Sequence, residues 1–268
     1  MGDMRSICRP PAVAGSFYPA DAGELARAVE ECLASATPAA AAHGRPKAIL
    51  APHAGYVYSG PIAGSAYAAI RPFAAEIQRI VLLGPAHHVP LRGLAASSAS
   101  AFATPLGEVA VDREALNEAL ALPQVGIDDE AHRREHSLEV QLPFLQLLFP
   151  AFRLVPLVVG DASTAEVAQV LDLLWSGAET LIVVSSDLSH YYDYTTASRL
   201  DRATANAIEE LRAGDLGRES ACGRNAVRGL LEAAAHHGLA AETVDLRNSG
   251  DTAGGHDEVV GYGAFLFA

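Results

Sequence analysis

Four short runs of uninterrupted apolar residues constrain this chain most. Lys47 to Ala51 (KAILA), Arg79 to Leu83 (RIVLL), Arg153 to Val159 (RLVPLVV) and Thr180 to Val184 (TLIVV) have strand length and no apolar/polar alternation. A strand with one wet face alternates, whereas one that is apolar on both sides of its pleat must be covered on both. Helical stretches separate the runs. Asp21 can cap a segment reaching about Ser35, and Thr164 to Trp175 carries apolar residues at helical spacing. Residues 195–213 and 222–236 are further helix candidates, and Glu258 to Phe267 (EVVGYGAFLF) reads as a Gly-interrupted strand. The alternation predicts an α/β fold: one three-layer domain over residues 1–268 with a central, mainly parallel or mixed sheet. Pro156 argues against a central place for the third run, because proline cannot donate to a ladder. Ala36 to Ala42 (ATPAAAA) reads as a surface connection, too short for a domain linker.

Charge and cysteine usage remove several function classes. Nineteen basic against 32 acidic side chains leave a formal net charge of −13, which disfavours a nucleic-acid-coating role. No apolar run approaches the roughly 18 residues of a spanning helix, and the first residues (MGDMRSICRPPAVAG) show no long apolar core, so neither a membrane protein nor a secretory signal is expected. Cys8, Cys32 and Cys222 are too few and too scattered for a disulfide framework, which predicts a reducing, cytoplasmic home. Phosphate-cradling G-x-x-x-x-G-K-[ST] and G-x-G-x-x-G loops, a G-x-S-x-G nucleophile elbow and a C-x-x-C pair are all missing.

In open α/β sheets ligands bind beyond the carboxyl ends of the strands. Three of the runs lead there into histidine: Ala51-Pro52-His53-Ala54-Gly55, Gly84-Pro85-Ala86-His87-His88, and Ser185-Ser186-Asp187-Leu188-Ser189-His190. Neighbouring strands would bring His53, His87 or His88, and His190 to one sheet edge. Imidazole is both the commonest protein ligand for transition metals and the usual acid/base near neutral pH. A lone loop histidine is most often merely solvated; three strand exits that agree point to a shared metal or catalytic site. His43, His132, His236, His237 and His256 read as surface residues. Glu135-His136-Ser137-Leu138-Glu139 reads as a helix opening with His136 and Glu139 on one face. That pair could be a charged first turn, or an outer layer that orients metal ligands. Cys222 opens a helix candidate beside Arg224, a setting that favours thiolate, although a buried inert thiol is the commoner case.

The blocks PHAGYVYSG (52–60), LGPAHHVPL (83–91), EHSLEVQLP (135–143), VVSSDLSHYYDY (183–194) and CGRNAV (222–227) resemble the Memo protein family, in the family's order. The resemblance implies a single Memo-like domain similar in fold to class III extradiol dioxygenases, which use non-haem ferrous iron. It places His53 and His88 at the two histidine ligand positions and Cys222 where those enzymes carry a carboxylate ligand. His190 matches their acid/base histidine, with Asp187 beside it; His87, His136 and Glu139 would stand behind the ligands. It implies iron or copper, with zinc compatible with the donor types, and association with a radical-SAM protein.

The leading expectation is therefore a metal-site protein. Any reaction would be a metal-dependent redox step on a small oxidisable substrate. A different class is a metal-free scaffold whose histidine cleft takes an anion or a peptide, with Tyr56, Tyr58, Tyr191 and Tyr192 as stacking or packing surface. A zinc-dependent hydrolase ranks third.

Overall fold

The computed structural model describes residues 7–37 and 44–268. His43 and most of the Ala36–Ala42 connection lie outside them. The strands are β1 (Cys8–Arg9), β2 (Ala48–Ala51), β3 (Arg79–Pro85), β4 (Leu94–Ala96), β5 (Ala101–Thr104), β6 (Gly107–Ala110), β7 (Val125–Ile127), β8 (Arg153–Val159), β9 (Thr180–Ser185), β10 (His190–Tyr192), β11 (Ala241–Asn248) and β12 (Val259–Phe267). The α-helices are α1 (Ala22–Ala34), α2 (Tyr56–Ile70), α3 (Arg113–Ala119), α4 (Asp129–Arg133), α5 (Leu142–Leu148), α6 (Thr164–Leu173), α7 (Tyr194–Glu209) and α8 (Arg224–His236). The four apolar runs are β2, β3, β8 and β9, and they lie side by side.

The large sheet runs in the order β10-β12-β2-β9-β3-β8-β4-β7, with β11 on the other edge of β12; a small sheet pairs β1-β5-β6. Strands β2, β9, β3 and β8 are parallel, while β12 against β2 and β4 against β8 are antiparallel. The sheet is thus mixed with a parallel centre. Helices cover both faces of that centre, as doubly apolar strands require. α8 lies on β3 and β9 and packs against α6, whereas α2 lies on β2, β11 and β12 and packs against α1 and α5. The buried apolar side chains form one continuous cluster across these layers.

Local signals account for the helix starts. The Asp21 carboxylate accepts from Glu24 N, and Ser163 with Glu166 forms a reciprocal capping box on α6. Pro156 does sit centrally, between β3 and β4, contrary to the sequence expectation. The Leu154 carbonyl accepts from Asp112 N on the β4 side, and pairing with β4 begins only at Leu157. Pro156 faces that same side and lies outside the paired stretch Leu157–Val159, so it withholds no N–H from the β4 ladder. No helix among the described residues is long and apolar enough to cross a membrane.

Candidate metal centre

β2, β9 and β3 are adjacent and parallel, so their exits reach one edge of the sheet together. His53 follows β2 by two residues, His87 follows β3 by two, and Asp187 follows β9 by two. The third histidine comes from elsewhere. His136 lies in the connection between α4 and α5, ahead of the short 3-10 turn that begins at Glu139, so His136 and Glu139 do not share a helix face. Gly84 lets the turn approach: a Cβ there would stand 2.7 Å from Ser137 Oγ.

His53, His87 and His136 each offer one ring nitrogen within 4.8 Å of the others. Ring centroids are 5.3 Å apart for His53 and His87, 5.4 Å for His53 and His136, and 4.5 Å for His87 and His136. His53 is fully buried, and the other two stand toward the surface.

Hydrogen bonds determine which nitrogen two of these rings present. Ser185 Oγ lies 2.9 Å from His53 Nδ1, accepts from Gln141 Nε2 (2.8 Å) and donates its only proton to the Ser137 carbonyl (2.7 Å). The hydroxyl can therefore only accept from the ring, so Nδ1 of His53 carries the hydrogen and Nε2 keeps its lone pair. The Gln141 orientation is fixed in turn, because its amide nitrogen also donates to Pro52 O and its oxygen accepts from Tyr67 Oη. His87 Nδ1 lies 2.8 Å from Glu135 Oε1 and donates to it, which again leaves Nε2 free. A carboxylate behind a histidine is the usual outer partner of a metal ligand, orienting the ring and raising its basicity.

Glu135 organises the rest. Its carboxylate also accepts backbone N–H groups from His87 (2.6 Å), His136 (3.0 Å) and Ser137 (2.9 Å). Burial pushes its acidity the other way, yet the His87 ring and these amides hold the carboxyl well below the usual range. Burial, then the neighbouring His87 and His136 rings, push His53 well below an ordinary histidine. Burial and His87 lower His136 to about 4 against the pull of Glu135. Both rings are neutral at pH 7, the form that donates a lone pair.

The remaining expected residues take varied places. His88 is exposed and stands outside the trio, its ring centroid 6.0 Å from that of His136. Glu135 grips both the main chain and the ring of His87, which leaves its neighbour directed elsewhere. Cys222 stands beside the trio, with Sγ 3.4 Å from His53 Nε2 and 3.6 Å from the Asp187 carbonyl. It lies just before α8 rather than within it, and burial followed by the Asp187 charge pushes its thiol up to about 12, so the protein alone does not make a thiolate. Gly223 permits this approach, since a Cβ there would be 2.8 Å from Ser186.

Asp187 accepts from His53 N (2.7 Å) and is buried, with burial raising its carboxyl to about 6. It steadies the His53 loop and does not set the His190 tautomer. That role falls to the Leu188 carbonyl, 2.9 Å from His190 Nδ1, which keeps Nε2 free. Glu139 is fully buried but turned away from the histidine trio. It holds Arg9 and accepts from Ala12 N (2.7 Å), Val13 N (3.0 Å) and Tyr18 Oη (2.5 Å). These contacts secure the N-terminal strap, whose Phe17 ring packs 4.7 Å from His136. His132, expected at the surface, is buried, with Nε2 2.9 Å from the Ala95 carbonyl. Sequence reasoning gives Glu135 no role of its own; its one signal is its position next to His136.

The family model for Memo-like proteins matches residues 9–266. Relatives named MEMO1 family protein are similar along nearly the full length. One from Aquifex aeolicus is 37 % identical over 271 residues, covering 97 % of this chain and 98 % of its own. One from Aeropyrum pernix is 39 % identical over 280 residues, covering 96 % and 98 %. One from Nitrosopumilus maritimus is 34 % identical over 276 residues, covering 97 % and 100 %. Among solved structures, an uncharacterized protein from Escherichia coli K12 aligns with a TM-score of 0.48 at 13 % identity, over 81 % of this chain and 99 % of that one.

Proposed function

The chain belongs to the Memo-like family, and on that premise we propose that it is a metal-binding protein whose centre takes iron or copper. His53, His87 and His136 would hold the ion through one nitrogen each. The observation that carries this reading is the pairing of proximity with orientation. Three rings gather within 4.8 Å, and two have Nδ1 committed to Ser185 and Glu135, so that Nε2 remains as donor. An all-imidazole set suits copper, ferrous iron and zinc, with copper leading the affinity order for such ligands. His88 is not required in this arrangement. Cys222 is a candidate additional ligand, and its thiol proton would have to leave on binding.

When bound, the ion would supply Lewis acidity or electron transfer. The protein's contribution would be to keep His53 and His136 neutral, to orient the rings, to shield His53 from water, and to hold His190 Nε2 available for a proton. A redox step on a small substrate is the activity this combination serves best.

The test is competition with a chromophoric chelator for copper, zinc and, under anaerobic conditions, ferrous iron. Wild type should bind one equivalent. His87→Ala should weaken binding by about two orders of magnitude, while His88→Ala should stay within about threefold of wild type. The reverse ranking would refute the assignment.

A further inference from the structure

The same edge of the sheet holds a second feature. Between the exits of β3 (Pro85, Ala86) and β8 (Gly160, Asp161) and the start of α8 lies a cavity of about 250 Å³ with mostly polar walls. At roughly 30 Å³ per water, it has room for about eight waters, which is the size of one small polyatomic ion carrying few carbons. Cys222 lines it on one side, and Cys222 Sγ is 3.4 Å from His53 Nε2, so the cavity adjoins the histidine trio.

Arg224 is the cation of this wall. It is half-buried, and no carboxylate or carbonyl among the described residues takes its guanidinium. Arg9, Arg79 and Arg247 each hold a carboxylate, whereas among the described residues Arg224, like several other arginines, has no ion pair, and it is the one arginine that lines this cavity. Asn225 Nδ2 donates to the Gly160 carbonyl (2.9 Å), tying the start of α8 to the β8 exit and fixing the backbone beneath Arg224. Asp161 shares the wall but is exposed and forms no ion pair with Arg224. It disfavours an ion without a donor of its own and can accept from one that has a hydroxyl. A planar guanidinium suits two oxygens of one carboxylate or phosphate. The location also agrees with the rule that α/β sheets bind ligands beyond their strand carboxyl ends.

We infer that this cavity is an anion subsite: Arg224 binds the carboxylate or phosphate of a small, hydroxyl-bearing molecule and sets it beside Cys222 and the histidine trio. The ligand class follows from the cavity alone; only its role as substrate or co-ligand rests on the metal-centre reading.

Calorimetric titration of metal-free protein with inorganic phosphate and, separately, malate tests it. One of them should saturate a single site, and which one does so identifies the anion as phosphate or carboxylate. Arg224→Met should weaken that binding by about tenfold or more, Arg224→Lys by less because it keeps the charge but not the fork, and Arg199→Met, on the exposed side of α7, should leave it unchanged. Thermal melts verify that each variant is folded, and if Arg224→Met is not, Arg224→Lys decides. Failure of both anions to saturate in the millimolar range, or wild-type affinity in the folded Arg224 variant, overturns the subsite. Metal titration of the same samples keeps the two readings apart. Protein that takes metal but neither anion overturns the subsite and leaves the centre standing; protein that takes an anion but no metal does the opposite.

Discussion

Replacing Arg9 by Met would strip a buried ion pair of its cation. The guanidinium is 6 % exposed and the Glu139 carboxylate 0 %. Arg9 also donates to the backbone carbonyls of His132 (3.0 Å) and Glu135 (2.5 Å), so it joins the N-terminal strap to the turn that carries His136. Removing one partner of a buried pair leaves an uncompensated charge, at a cost of about 3–5 kcal/mol. Glu139 would keep three donors, Ala12 N, Val13 N and Tyr18 Oη, which places the expected loss near the lower end, about 3 kcal/mol. That is a large fraction of the roughly 5–15 kcal/mol that holds a typical domain folded. Glu139→Gln in the Arg9→Met background removes the stranded charge and should restore about 2 kcal/mol. Urea unfolding of chelator-treated protein at pH 7 reads both values, with bound metal kept from contributing. A loss below about 1 kcal/mol for Arg9→Met, or strict additivity in the double variant, would refute the view that this pair is a coupled anchor.

Other consequences follow from the same geometry. Glu135→Gln keeps the shape but loses the charge behind His87, and should lower metal affinity by about 10–100-fold in chelator competition with little change in stoichiometry. His132 is lowered to about 4 by burial, against the Ala95 hydrogen bond, so the unfolded chain takes up its proton first as acid is added. Its stabilisation is present above about pH 6.5 and is lost as pH falls toward 4, at about 1.4 kcal/mol per unit. His132→Gln should remove about one proton from the slope of unfolding free energy between pH 6 and 4.5; an unchanged slope would contradict it. Gly223→Ala drives a Cβ to within 2.8 Å of Ser186 and should cost about 1–3 kcal/mol by thermal or urea unfolding while shifting Cys222.

The sequence marks the four central strands because burial on both faces leaves an uninterrupted apolar run that solvent-facing elements do not imitate. The short strands β1, β4, β7 and β10, with two or three residues each, leave no such trace because their pairing is set by distant partners. His53 and His87 stand out in the sequence as strand-exit residues, yet His87 and His88 are adjacent, and the resemblance puts His88 at the ligand position with His87 behind it. What distinguishes them in space is Glu135, which is 48 residues away and reads like any surface acid. His136 was legible as an interesting residue, while its partnership with His53 and His87 depends on how a turn is held against Gly84. Glu139 shows the converse. Its proximity in sequence to His136 suggested a shared task, but its carboxylate faces Arg9 and the strap.

The most direct test of the centre is anomalous diffraction from crystals of the protein loaded with one equivalent of copper or iron. The account predicts a single strong peak among His53, His87 and His136, about 2.0–2.2 Å from a ring nitrogen of each. A peak coordinated by His88 and not by His87, or metal bound only at surface acids with the three rings unligated, would contradict it.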